Sequence, residues 1–310
     1  GGTALNAHTW YEETVYKIGL PSNRLHQWAE IESDRFVDPV FRLFHTELET
    51  VYEEKNRTLD NAGRIIGTAI DELLYKVHPY GQQPTIGTVD HLKNPSLVYI
   101  QNYFDTYYVP NNMGIFISGD IDVTETIELI SEKFGQWESS PILEVGPWEE
   151  PSLEGAERRT VQYPGEEQVS IAFRTAENGH EDKEALILVD MILDNSTAGL
   201  INLNLTQQQL VSNAGSSPLF LNDYGSQNLY GVPKPNQTLQ EVEQLLLDQL
   251  NLIKSGEFDD WIIPAIINDF KKNEKASLEF NTARVDTMRQ SFIEGSDWDY
   301  HISEIDRMEM

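Results

Sequence analysis

The chain has 310 residues, 39% of them hydrophobic, which is about two domains at roughly 150 residues each and enough apolar material for packed cores. Its 51 acidic and 22 basic side chains give a formal charge of −29, which repels phosphate backbones and anionic headgroups, argues against nucleic acid and membrane surfaces as partners, and favours cationic peptides. With no cysteine there is no disulfide framework, thiolate nucleophile or cysteine-ligated metal, and no run approaches the ~18 apolar residues of a membrane span.

The opening GGTALNAHTW has neither a basic n-region nor an apolar h-region and no initiator methionine, so a processed or trimmed chain is expected. Helical stretches are predicted near Leu25 to Phe36, from Asp38-Pro39 to about Asn56 with Pro39 in a tolerated first-turn position, and from Asn61 to Lys76. HPYGQQPTIG reads as an ordered loop, followed by an aromatic helix ending near YYVPNN and a short buried strand in MGIFIS. Asp122 and Glu125 mark the head of a helix that runs to Phe134 and closes at Gly135. Three prolines and several glutamates between residues 138 and 157 read as a linker. Beyond it, RTVQYPGEEQVSIAF alternates about a Pro164-Gly165 turn and predicts a hairpin, EALILVDMIL a buried helix, and Thr238 with Glu241 a capping box ahead of a strongly amphipathic helix. Two more helical stretches are expected to reach Met310.

The segment ELETVYEEKN concentrates four glutamates on one helix. Stepping about 100° per residue, Phe44, Leu48, Val51 and Tyr52 form the core stripe, Glu47 and Glu54 share one shoulder, and Glu49 and Glu53 lie on the other. Glu47 and Glu54 are about 10.5 Å apart along the axis, close enough to serve one extended site as ligand and supporting group. On spacing alone the same shoulder reads first as the solvated flank of a core helix, and His45 as a partly packed histidine. No histidine pair has the H-x-x-E-H or H-E-x-x-H spacing, so this chain by itself carries no complete zinc motif.

Several stretches in order, NAHTWYEETVY, ESDRFVDPVF, ELETVYEEKN, HPYGQQPTIG, FDTYYVPNNMGIFISGDID and EKFGQW, resemble the inverted-zincin metallopeptidases of the pitrilysin, insulysin and mitochondrial processing peptidase family. The resemblance implies an α+β fold with layered antiparallel or mixed sheets, helices packed on one face, and two consecutive family-type domains. Residues 1–137 would be the C-terminal part of the catalytic-type domain, incomplete at its N-terminus, 138–157 the linker and 158–310 a second, non-catalytic domain. It implies zinc in the intact parent, with Glu54 as the protein ligand from an E-x6-E pair, turned toward the sheet, and Glu47 as the supporting acid. The two histidines and the general base would lie upstream of Gly1, so the chain alone is expected to hold no zinc and hydrolyse nothing. LNAHTW resembles the family's edge strand, in which Asn6 and Ala7 receive an extended peptide by strand addition.

Two departures accompany the resemblance. The Gly-Gly pair precedes Asn-Ala by one residue more than the pattern, and QQQLVSNAGSSPLF lacks the arginine and tyrosine that help hold substrate in the family. A second half or a partner subunit is therefore expected to supply that pair. The implied parent is a zinc metalloendopeptidase acting on peptides or unfolded proteins, and the absence of cysteine fits an exported or periplasmic bacterial setting. The competing reading is a non-catalytic family subunit that acts as a scaffold or substrate-binding protein.

Overall fold

The computed structural model describes residues 2–93, 95–143, 145–195 and 198–309. The chain forms two compact units, one of Gly1–Thr68 with Tyr75–Glu157 and the other of Ala69–Leu74 with Arg158–Met310.

The first unit opens with an antiparallel hairpin of β1 (Thr3–Thr9) and β2 (Thr14–Gly19), registered through Asn6 opposite Lys17 and Ala7 opposite Tyr16. The register shifts between Thr3 and Asn6, where Ala4 takes φ 52°, so only the distal half of β1 is a regular strand. Helices follow: α1 (Leu25–Val37), α2 (Phe44–Thr58), α3 (Ala62–Leu74), of which Ala69–Leu74 belongs to the second unit, α4 (Pro79–Gln82), α5 (Val89–Lys93), α6 (Leu97–Tyr107) and α7 (Val123–Phe134). α1 packs against α7, and each buries compact residues, Ala29 and Ser33 on one and Thr126 and Leu129 on the other, which lets the two backbones approach. The Asp122 carboxylate accepts the Glu125 N–H at 2.9 Å and caps α7 as the spacing predicts.

The second unit is built on a three-stranded antiparallel sheet of order β3-β5-β4, with β3 (Val169–Thr175), β4 (Asn213–Phe220) and β5 (Gly225–Val232). α8 (Lys183–Leu193) and a π-helical turn (Ile201–Thr206) lie between β3 and β4. After the sheet come α9 (Leu239–Ser255), α10 (Ile262–Ser277), α11 (Asn281–Ile293), α12 (Trp298–Ile302) and α13 (Glu304–Met308). β5 is central and the most buried strand, and α9 seats directly on it: a Cβ at Gly231 would come within 2.4 Å of Val242 Cγ1. Leu193, Ile201, Leu205, Val211, Leu229, Val242 and Leu246 form its main core. Thr238 and Glu241 make the reciprocal capping box at the head of α9.

The antiparallel sheets and abundant helix agree with the α+β expectation, while several elements differ. α2 starts at Phe44 and not near Pro39, because Leu43 takes the left-handed conformation (φ 53°) and breaks helical continuity. Residues 113–118, read as a buried strand, belong to no sheet among the described residues, and Ile115 is 43% exposed. The hairpin about Pro164-Gly165 does not form. The Tyr163 hydroxyl donates to the Glu166 carbonyl at 2.8 Å, so this side chain covers its own turn, and β3 pairs instead with β5. Among the described residues the C-terminal stretch holds four helices where two were expected, since residues 278–280, residues 294–297 and Ser303 interrupt the run. Among the described residues no helix is long and apolar enough to cross a membrane.

Candidate functional site

α2 carries the two candidate glutamates. Its half-buried face is made by Phe44, Leu48, Val51 and Tyr52, the stripe read from the periodicity, and none of its residues is fully buried. Glu47 and Glu54 are both exposed, and neither side chain makes a hydrogen bond or ion pair among the described residues. Glu47 sits in the first turn, where a carboxylate is favoured by the helix dipole, and Lys55 and Arg57 occupy the last turn, where cations are favoured. Glu54 is exposed on α2, and the two strands of this unit among the described residues, β1 and β2, pair with each other. No group of three or more His, Asp or Glu side chains able to hold a metal occurs among the described residues. A catalytic zinc needs three protein ligands, so these residues alone do not fit one.

β1 carries the other candidates. Apart from half-buried His8 the strand is exposed, and in the two-stranded sheet its outer edge faces no further strand among the described residues. Asn6 folds its side chain back, and its Oδ1 accepts the Ala7 N–H at 2.9 Å. His8 Nε2 meets Glu13 Oε1 at 3.2 Å across the hairpin, and Trp10 N–H closes the turn on the Glu13 carbonyl at 2.9 Å.

Behind β2 lies an aromatic layer that sequence reasoning did not pick out. Tyr16, opposite Ala7, shares a 3.1 Å hydroxyl contact with Tyr108, and the Arg35 guanidinium lies 4.6 Å from both the Tyr16 and Phe36 ring centres. Phe36 in turn stacks on Tyr108 and Trp137. Burial, then the hydrogen bond to Tyr16, pushes the Tyr108 hydroxyl well above its ordinary range, and burial likewise raises Tyr103, so both stay protonated. The only trace of this layer in the sequence is the aromatic density of residues 103–108.

A second missed group is Glu150, within the stretch read as linker. Its carboxylate accepts the backbone N–H groups of Lys76 (2.9 Å), Val77 (2.7 Å) and His78 (2.6 Å). Its partners are more than seventy residues away in the chain, and no local pattern reveals them.

The family model described as Peptidase M16 inactive domain matches residues 98–270, more than half of the chain. The chain belongs to the M16, pitrilysin-like peptidase family. It is 25% identical over 293 residues to the zinc protease PqqE of Helicobacter pylori, a match covering 90% of this chain and 64% of PqqE. The chain thus spans less than two thirds of that relative's length. Its fold is similar to that of a protease from Helicobacter pylori, with a TM-score of 0.90, 21% identity and coverage of 99% of this chain and 76% of that one. It is also similar to the first half of the periplasmic protease PqqL of Escherichia coli, with a TM-score of 0.72, 16% identity and coverage of 98% and 69%. Against the longer PqqL structure, the same fold covers 35% of that chain.

Proposed function

We propose that these residues are part of a zinc-dependent metalloendopeptidase that takes extended peptides by strand addition at β1, near Asn6 and Ala7, with Glu54 as one protein ligand to zinc and Glu47 as the supporting acid. The observation that carries this reading is the pair itself: two exposed carboxylates seven residues apart on α2, neither engaged by another side chain among the described residues. The remaining ligands and the general base are assigned to parts of the parent beyond these residues, and the chain alone is expected to be inactive. Bound zinc would supply Lewis acidity and an activated water. The part played by this chain is to present a carboxylate from α2 and to align the peptide backbone along β1, which fixes a scissile bond while reading little side-chain sequence.

The substrate-holding arginine and tyrosine are assigned to a second half or a partner subunit, a reading supported by the small share of the longer PqqL that this fold covers. An exported setting is supported by PqqL being described as periplasmic. The second reading, a non-catalytic subunit that binds substrate, is favoured by the description of the matched model as the family's inactive domain.

The test is zinc content in the parent protein, by elemental analysis of wild type and Glu54→Gln. The catalytic reading expects about one zinc per chain falling to a small fraction in the variant. Equal metal in both would remove Glu54 from the site, and metal in neither would favour the non-catalytic subunit.

A further inference from the structure

We infer that Glu150 is a positioning residue that sets β1 through residues 76–78 and the start of α4; this rests on the reading of β1 as the substrate strand. A two-stranded hairpin is marginal by itself in water, and β1 is mostly exposed, so the direction of its edge must be held from elsewhere. Besides the contacts of Tyr16 behind β2, the turn between β1 and β2 holds it. The Tyr80 hydroxyl donates to the Glu12 carboxylate in that turn, and the Tyr80 ring meets the neighbouring Tyr11 edge-on at 5.4 Å. Glu13, next in the turn, reaches back to His8 on β1.

Tyr80 can serve as an anchor because it is itself fixed. It is 7% exposed, its N–H donates to His78 Nδ1 at 3.1 Å, and its ring lies 3.9 Å from that of His78, which is 2% exposed. His78 is fixed in turn by Glu150, whose Oε1 accepts from Val77 and His78 and whose Oε2 accepts from Lys76. Three consecutive amides on one carboxylate are charge-assisted bonds, roughly twice as strong as neutral ones. They define the entry into α4, and hence where the Tyr80 hydroxyl lies. A glutamate far along the chain thereby helps determine where the edge strand lies.

The experiment is amide hydrogen exchange on the full 310-residue chain, wild type against Glu150→Ala, Glu150→Gln and Tyr80→Phe, together with the affinity of an extended lysine-rich peptide. Glu150→Ala should speed exchange across residues 3–19 by about tenfold while β5 in the second unit keeps its wild-type rate. Glu150→Gln retains an oxygen that can accept from Val77 and His78, so it should recover most of the protection and most of the peptide affinity. Tyr80→Phe should loosen residues 3–19 while amides 76–78 stay protected, because it cuts the connection beyond the clasp. If Glu150→Ala frees amides 76–78 and leaves the hairpin at the wild-type rate, the inference is overturned. Should the alanine variant not fold, Tyr80→Phe decides by the same criterion, unchanged hairpin exchange being the overturning result. A wild-type chain that binds no peptide would count against β1 as the substrate strand, and the exchange pattern would still decide whether Glu150 positions the hairpin.

Discussion

Ser216 on β4 donates its hydroxyl to Asp190 on α8 at 2.6 Å, and Gln227 on β5 donates to the same carboxylate oxygen at 2.8 Å. One acidic side chain thus ties a helix to two strands of the second unit. Burial nevertheless outweighs these donors, and with nearby Asp194 acting in the same sense it raises the Asp190 pKa above the ordinary 3.8.

The sign of the pH dependence follows. A carboxyl whose pKa is raised by folding binds its proton more tightly in the native state, so its contribution to stability is present below the unfolded value and is lost as pH rises through the folded value. Asp190→Asn removes the charge and keeps an oxygen for Ser216 and Gln227. Unfolding in urea at pH 7.5 should show the variant at least as stable as wild type, with a flatter dependence on pH between 4 and 7.5. A variant less stable at pH 7.5 with the wild-type pH profile would contradict this account.

Arg307 on α13 donates from Nε to Glu184 on α8 at 2.6 Å, and Lys183 beside it meets Glu294 at 3.2 Å, with Lys183 and Glu184 both buried. Breaking one partner leaves a carboxylate without its cation in a poorly solvated place. Arg307→Met should therefore destabilise the second unit by roughly 2–4 kcal/mol, and the double variant with Glu184→Gln should cost less than the single one. Denaturant unfolding of both in a double-mutant cycle gives the coupling, and strictly additive losses would show that the pair is not coupled.

The isolated chain should bind zinc weakly and hydrolyse no peptide, because a single carboxylate supplies neither the coordination nor the general base. Equilibrium dialysis and a peptide-cleavage assay check this, and stoichiometric zinc with chelator-sensitive activity in this chain would overturn it. In the complete parent, Glu47→Gln should leave zinc content and melting temperature near wild type while lowering kcat/KM by about tenfold or more.

The formal charge of −29 should make peptide capture salt-dependent. A lysine-rich peptide should bind more tightly than its glutamate counterpart at low ionic strength, and the difference should shrink as the Debye length falls toward about 8 Å at physiological salt. A charge preference that does not change with salt would assign selectivity to direct contacts in place of the overall field.

Features written in short stretches of sequence were legible. The caps at Asp122 and Thr238 each bind the amide three residues on, so their spacing alone located two helix starts. The apolar stripe of α2 was legible for the same reason, since helical periodicity relates residues only three or four apart. The left-handed Leu43 had no such signal, because a leucine seldom adopts that backbone. β3 could equally have paired across the Pro164-Gly165 turn. Its actual partner, β5, lies fifty or more residues away, and period-two alternation says which face of a strand is apolar without saying which strand it joins.

By itself the sequence determined the charge, the absence of thiol chemistry, the helix caps, the seven-residue spacing of Glu47 and Glu54 and the resemblance that interprets it. The tertiary structure decided that both glutamates stand in solvent on α2, that β1 presents an open edge among the described residues, and that Glu150 closes on amides 72 to 74 residues away. The physical reason is range: helix hydrogen bonds and caps join near neighbours, whereas sheet pairing, burial and a carboxylate's choice of donors depend on which distant segments the folded chain brings together.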